Sequence, residues 1–272
     1  MKPQSYWHPM SSMPSEPLPG KLIVLEGTDG VGRSTQIQML KNWLESIGVA
    51  VYDTGLSRSV LCGRDLQRAK QGHTLDPITQ ALYYATDFAD RLENEMLPAL
   101  RAGCVVLTDR YIYSLMARAI VRGNDPKWVR RVYGFAIVPD LILYLHADLS
   151  VLIPRVLAAG GFDYWESGSD YLRGDSRYDC FVRHQDALLG VFKRMTEEYG
   201  FVTIDANRTV MDVFGDLQGK IREVVKDLTF VPSREPASPE EYMLPVPKPL
   251  DERPTRSMAD IIADLLASLQ DE

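Results

Sequence analysis

One glycine-rich turn constrains this chain more than any other feature, because of what lies on either side of it. Before it runs Lys21 to Glu26 (KLIVLE), apolar and long enough for a buried strand. The turn itself reads Gly27-Thr28-Asp29-Gly30-Val31-Gly32-Arg33-Ser34. After it, from Arg33 to Ile47, Ile37, Leu40, Trp43, Leu44 and Ile47 recur at helical spacing. The turn fits G-x-x-x-x-G-K-[ST] at every position except 33, where arginine replaces lysine. Each fixed position has a physical reason. Glycine lets the loop take φ values closed to other residues, so that backbone N–H groups can approach phosphate oxygens. The helix that starts there turns the positive end of its dipole to the same anion. The Ser34 hydroxyl is placed to bind Mg²⁺, and the Arg33 guanidinium keeps a positive charge beside the phosphates in a bulkier, planar form. Gly27, Asp29, Gly30, Val31, Gly32, Arg33, Ser34 and Thr35 are therefore the expected phosphate-binding set.

The rest of the chain repeats the strand–helix alternation. Gly48 closes the first helix and Val49 to Thr54 reads as a second strand. A long helical stretch covers about Asp76 to Arg101, with Asp76 as N-cap, Pro77 in the first turn and Pro98 placed to kink its end. Cys104–Thr108, Leu141–Leu145 and Phe201–Ile204 are further apolar strands with helical segments between them. Apolar strands alternating with helices predict an α/β fold, three layers α/β/α around a five-stranded parallel sheet. Gly160 to Ser176 is irregular and rich in Gly, Asp and Ser, which predicts a lid over about 160–176. Residues 1–20 are Ser- and Pro-rich and read as a disordered leader, and 21–228 as the domain. Residues 229–256 hold seven prolines and read as a linker. In 257–272, Met258, Ile261, Ile262, Leu265, Leu266 and Leu269 make an amphipathic helix, expected to dock on the body or on a partner subunit.

Charge and cysteine content exclude some functions. With a net charge of -7 the chain lacks the basic stripe of a nucleic-acid binder. Cys62, Cys104 and Cys180 show no C-x-x-C spacing, so a zinc site or disulfide framework is not expected and a cytoplasmic setting is. No apolar run approaches the length of a membrane span.

Four stretches give the chain a resemblance to thymidylate kinases over roughly residues 21–226. They are Leu25-Glu26-Gly27-Thr28-Asp29-Gly30-Val31-Gly32-Arg33-Ser34-Thr35-Gln36, then Ser57-Arg58-Ser59, then Asp109-Arg110-Tyr111 with Ser114, and Arg177-Tyr178-Asp179. The resemblance implies an ATP-dependent nucleoside monophosphate kinase using Mg²⁺, most simply dTMP to dTDP, and a homodimer. It implies that Asp29 accepts a hydrogen bond from the acceptor sugar and that Arg58, Arg110 and Ser114 belong to the acceptor's site. Ser34 and Asp109 would serve the metal, and Arg155 would lie on the adenine side. Catalytic charge would come from Arg33 and Arg110 and, because the loop position that could supply another arginine is Gly30, from the lid residues Arg173 or Arg177.

The base pocket departs from the family. Tyr84 aligns with the residue that stacks on the base, yet Phe88 stands where the family has an arginine, and Ala117-Arg118-Ala119 follows Ser114. Arg91 and Arg118 are the candidate replacement donors, with pairing of Arg118 to an acid such as Asp87 as the alternative; Tyr83–Tyr84 could equally be core packing. Arg33, Phe88 and the C-terminal segment leave two further readings open: a nucleotide-binding module with little turnover, and a kinase of another or modified pyrimidine monophosphate.

Overall fold

The computed structural model describes residues 4–71, 75–173 and 176–228. The expected linker and C-terminal helix, and two lid residues, lie outside the described residues. Five strands, β1 Lys21–Gly27, β2 Val51–Gly55, β3 Val105–Asp109, β4 Leu141–His146 and β5 Val202–Asp205, form one parallel sheet in the order β2-β3-β1-β4-β5. Strand order reverses beside β1, which pairs with β3 on one side and β4 on the other. Ligands gather at the carboxyl ends of strands at such a switch point.

Period-two alternation along β1 feeds two cores. Leu22 and Val24 face a cluster built from helices α3 Pro77–Arg91, α4 Leu97–Arg101, α5 Ile112–Val121 and α8 Arg177–Tyr199. Ile23 and Leu25 face the other, built from α1 Arg33–Ser46 and α9 Val210–Val225 with Leu152 of α7 Leu149–Ala158. All four side chains are sealed from water. Two short helices, α2 Gly63–Gln71 and α6 Pro126–Val132, complete the layer on the first face.

The long helical stretch is present but interrupted. Asp76 caps α3, its carboxylate accepting from the Ile78 N–H, and Pro77 opens the first turn. Leu92–Met96 then forms one π turn before α4. Pro98 offers no N–H to the Asn94 carbonyl and its ring crowds that group; widening the preceding turn relieves both.

The leader expectation is corrected for residues 4–20, which pack against the body. Ser5 bridges Ile137, the Tyr6 N–H donates to Ala136 O at 3.2 Å, and the Val138 N–H donates to Gln4 O at 2.8 Å. Tyr6 sets its ring edge-on to Tyr113 and Tyr199, and Met10, Met13 and Leu18 cover the same core. Spaced aromatic and Met side chains among the prolines were the anchoring signal that composition concealed.

Candidate functional site

The turn after β1 is held open by geometry that only glycine tolerates. Gly32 caps α1 at φ 99°, and a Cβ on Gly30 would meet Val156 Cγ2 at 2.5 Å. No side chain caps α1. Its first-turn N–H groups therefore face a cleft of about 430 Å³. Gly30, Val31, Gly32, Arg33, Ser34, Thr35 and Arg155 of the expected set line this cleft together with Arg208; Gly27 and Asp29 do not. Arg155 donates to Ala206 O at 3.1 Å.

Arg33 itself turns inward. Its Nη1 donates to the carbonyls of Gly27 and Thr28, and its Nε donates to Asp109 Oδ1 at 2.7 Å. The guanidinium thus braces the loop from below, mostly buried. The Ser34 hydroxyl lies 3.4 Å from Asp109 Oδ2. Burial raises the Asp109 carboxyl, but Arg33 and Arg110 outweigh that and hold it below the usual range.

Asp29 is the hub. Arg118 Nη2 donates to both its oxygens, at 3.0 and 2.9 Å; Arg110 Nη2 donates to Oδ1, and Arg33 stands 3.8 Å away. Burial opposes ionisation, yet the three arginines hold this carboxyl well below the ordinary aspartate value. The corresponding cost falls on Arg110: burial first, then Arg118 and Arg33, bring its guanidinium down to about 10. Arg110 also takes φ 69°, uncommon outside glycine; its N–H donates to Leu25 O at 2.9 Å and its carbonyl accepts from Thr108 Oγ1 at 2.6 Å. Its Nε is buried without a hydrogen-bond partner among the described residues.

A second, nearly closed slot of about 20 Å³ lies between α3 and α5, lined by Tyr84, Gln80, Lys70, Arg118, Arg122 and Trp165 among others. Trp165, from the expected lid, donates its Nε1 to Lys70 O at 2.9 Å, and Arg122 grips Asp170 through Nε at 2.7 Å and Nη2 at 3.0 Å. Segment 163–171 is thereby fastened down. It brings Glu166 close enough to Asp29 that this neighbouring charge, with burial, raises the Glu166 carboxyl. His184 sits beneath, its Nδ1 2.9 Å from the Tyr171 hydroxyl and its Nε2 without a partner among the described residues; burial, then Arg122 and Arg118, lower it to about 3, so the ring is neutral.

Several expected site residues are placed elsewhere. Phe88 is sealed in the core, because its face of α3 packs on Tyr111 in the turn after β3 and on Tyr133 and Phe135 in the connection after α6. Arg91 is equally buried, donates to Asp87 at 3.0 Å and Thr54 at 3.4 Å, and does not line the slot. Ser114 spends its hydroxyl and its N–H on the buried Glu26 carboxylate, which also accepts from the Tyr111 N–H; this carboxyl, not recognised as a site feature, anchors the turn after β3. The pairing of Arg118 with Asp87 is replaced by its pairing with Asp29. Asp87 instead accepts from the Ser57 and Ser59 N–H groups and shapes the loop that carries Arg58. Arg58 is half exposed at the site's rim, 3.6 Å from Asp53. Arg173 and Arg177 are exposed, with Arg177 donating only to Phe162 O at 3.4 Å among the described residues.

Comparison with known proteins identifies the family. The family described as thymidylate kinase matches residues 25–216. A protein of Saccharolobus solfataricus named probable thymidylate kinase 2 is 36% identical over 76% of this chain and 97% of its own length. Thymidylate kinase of Caldicellulosiruptor saccharolyticus is 31% identical over 77% of this chain and 97% of its length. Probable thymidylate kinase of Caldivirga maquilingensis is 28% identical over 75% and 94%.

Proposed function

This chain belongs to the thymidylate kinase family, and from that premise we propose how its residues divide the work of passing the ATP γ-phosphoryl group to dTMP. The reaction itself, dTMP to dTDP, follows from the family and its named relatives; the roles below are our reading. Phosphoryl transfer demands little covalent chemistry and much positioned positive charge. ATP enters the cleft at the α1 N-terminus, its β- and γ-phosphates on the loop amides of Gly30 to Thr35 and its adenine toward Arg155. The observation that carries the reading is the arginine cluster between the two cavities. Arg33, Arg110 and Arg118 converge there on Asp29, and Arg110 retains a buried Nε–H with no partner among the described residues. That N–H is the donor we assign to the acceptor phosphate, with Arg58 at the rim. Asp29 is kept ionised and so can accept a hydrogen bond from the acceptor's 3′-hydroxyl.

The family uses Mg-ATP. Ser34 Oγ and Asp109 supply hard oxygen donors within 3.4 Å of one another, and Asp109 is held anionic, so the pair fits Mg²⁺ shared with substrate phosphates. The ion would neutralise charge on the β- and γ-phosphate oxygens. No cluster of three or more metal-ligating side chains is present among the described residues. A Mg²⁺ site completed by phosphates and water needs none. Arg173 and Arg177 face solvent in this structure, and we assign them to the transition state once the triphosphate draws the lid inward. Incubation with ATP, magnesium and a panel of nucleoside monophosphates tests the reading: dTDP should form fastest with dTMP, and no diphosphate with any acceptor would overturn it. A homodimer and a cytoplasmic location are further proposals, checked by light scattering and by cell fractionation. No helix among the described residues is long and apolar enough to cross a membrane.

A further inference from the structure

We propose that Lys70, with Gln80 beside it, reads the acceptor's base in this chain, by donating to a carbonyl oxygen of a 2,4-dioxopyrimidine. The inference rests on the thymidylate kinase reading and adds to it the residues that choose the base. Position 88 cannot serve, because Phe88 is sealed in the core. Three cations face the slot, and two are already committed. Arg118 holds both oxygens of Asp29. Arg122 holds Asp170 and the Trp165 carbonyl.

Lys70 has no carboxylate partner among the described residues. Its ammonium stands 5.8 Å over the Trp165 ring and against the Tyr84 hydroxyl. Burial pushes that phenol up; Lys70, Arg118 and Arg122 together bring it below its usual value. Gln80, nearly buried, lines the same slot, and its amide makes no hydrogen bond to the protein among the described residues.

An ammonium offers donors only, and an amide offers one donor edge and one acceptor. Set side by side, they match a carbonyl next to an imide N–H. Thymine and uracil present that edge. Cytosine puts an amino group where the ammonium donates, and two desolvated donors then face each other without an acceptor. Tyr84 and Trp165 supply the ring surfaces that such a base stacks on. The slot holds only about 20 Å³ as it stands, so the base enters as the Trp165 side chain gives way. Because Trp165 bonds the Lys70 backbone carbonyl, replacing the Lys70 side chain leaves that fastening in place.

The test compares the full chain with Lys70→Met and Lys70→Arg, using dTMP, dUMP and dCMP with ATP and magnesium, with a melting curve for each protein. For Lys70→Met we expect the dTMP KM to rise about tenfold or more with kcat and the ATP KM near their original values. The preference for dTMP over dCMP in kcat/KM should shrink by about tenfold or more. Lys70→Arg should keep most of it. An unchanged preference in Lys70→Met overturns the assignment, and so does a fall in kcat shared equally by all three acceptors, which marks a purely structural side chain. Calorimetric titration of dTMP and dCMP without ATP reads the same ratio independently of turnover. A wild type that binds dTMP selectively but makes no dTDP would sink the functional reading alone, whereas equal binding ratios in wild type and Lys70→Met would sink this one.

Discussion

The two cavities that flank Asp29 are built from opposite materials. On the ATP side an open cleft is walled by backbone: glycines at positive φ, an uncapped helix N-terminus, and an arginine bonded to two loop carbonyls. On the proposed acceptor side a narrow slot is walled by side chains from α2, α3, α5 and the segment 163–171, four separate stretches of the chain. Backbone amides recognise what every nucleoside triphosphate shares, so that wall needs no variety. Side chains recognise a base, and Arg118 and Ala119, which depart from the family pattern, stand in that wall. The buried Asp29 carboxylate joins the two walls through its partners: Arg33 lines the cleft and Arg118 lines the slot.

Removing that carboxylate should have the largest effect. Asp29→Asn leaves Arg110 and Arg118 buried without their anion, and breaking a buried pair of this kind costs about 3 kcal/mol of stability or more. kcat/KM for dTMP should fall about a thousandfold. The pH dependence of folding gives an independent readout. A carboxyl whose folded value is depressed contributes stability above its unfolded value and loses it as pH falls through the folded one. The wild type should therefore weaken as the pH drops below the ordinary aspartate value of 3.8, and Asp29→Asn should show a flatter acid limb in urea titrations. An acid limb as steep as that of the wild type would remove Asp29 as the hub. Next in size is Arg177→Ala. If the lid carries transition-state charge to the ATP side, kcat falls about a hundredfold with a smaller change in ATP KM. An unchanged kcat would confine the catalytic charge to Arg33 and Arg110.

The same contrast explains what the sequence disclosed. The sheet, the crossover helices and the phosphate loop were legible because local rules produce them: apolar runs, helical spacing, and glycines at fixed offsets. Ser34 was singled out by the phosphate-loop pattern, whereas Asp109 and Arg155 were singled out by the family resemblance. Phe88, Arg91 and Ser114 were misplaced because their neighbours on the helix face gave no clue to which side met the sheet. One turn of α3 decides between Tyr84, which lines the slot, and Phe88, which lies in the core. Lys70, Arg122, Trp165 and Glu166 form no motif; only the fastening of 163–171 through Asp170 brings them together. A signal existed for Glu26: a carboxylate closing an otherwise apolar strand must find donors when buried, and it finds Tyr111 and Ser114.

Arg33→Lys gives the smallest expected effect, and position 33 gives the sharpest test of the comparison. Three demands fall on this position: donors for the Gly27 and Thr28 carbonyls, a donor for Asp109, and a positive charge under the phosphates. An ammonium carries three donors and the same charge in a compact form, so it can meet all three without the planar fork. Arg33→Lys should therefore keep kcat within about tenfold of the wild type, and the melting temperature should change little. Arg33→Met removes the charge and leaves Asp109 without its 2.7 Å donor, and its kcat should fall by about a hundredfold or more. If backbone recognition governs the ATP side, Lys and Met at position 33 separate widely. If Arg33→Lys falls to the level of Arg33→Met, the guanidinium's shape is itself the requirement, and the ATP side depends on side-chain geometry as closely as the acceptor side does.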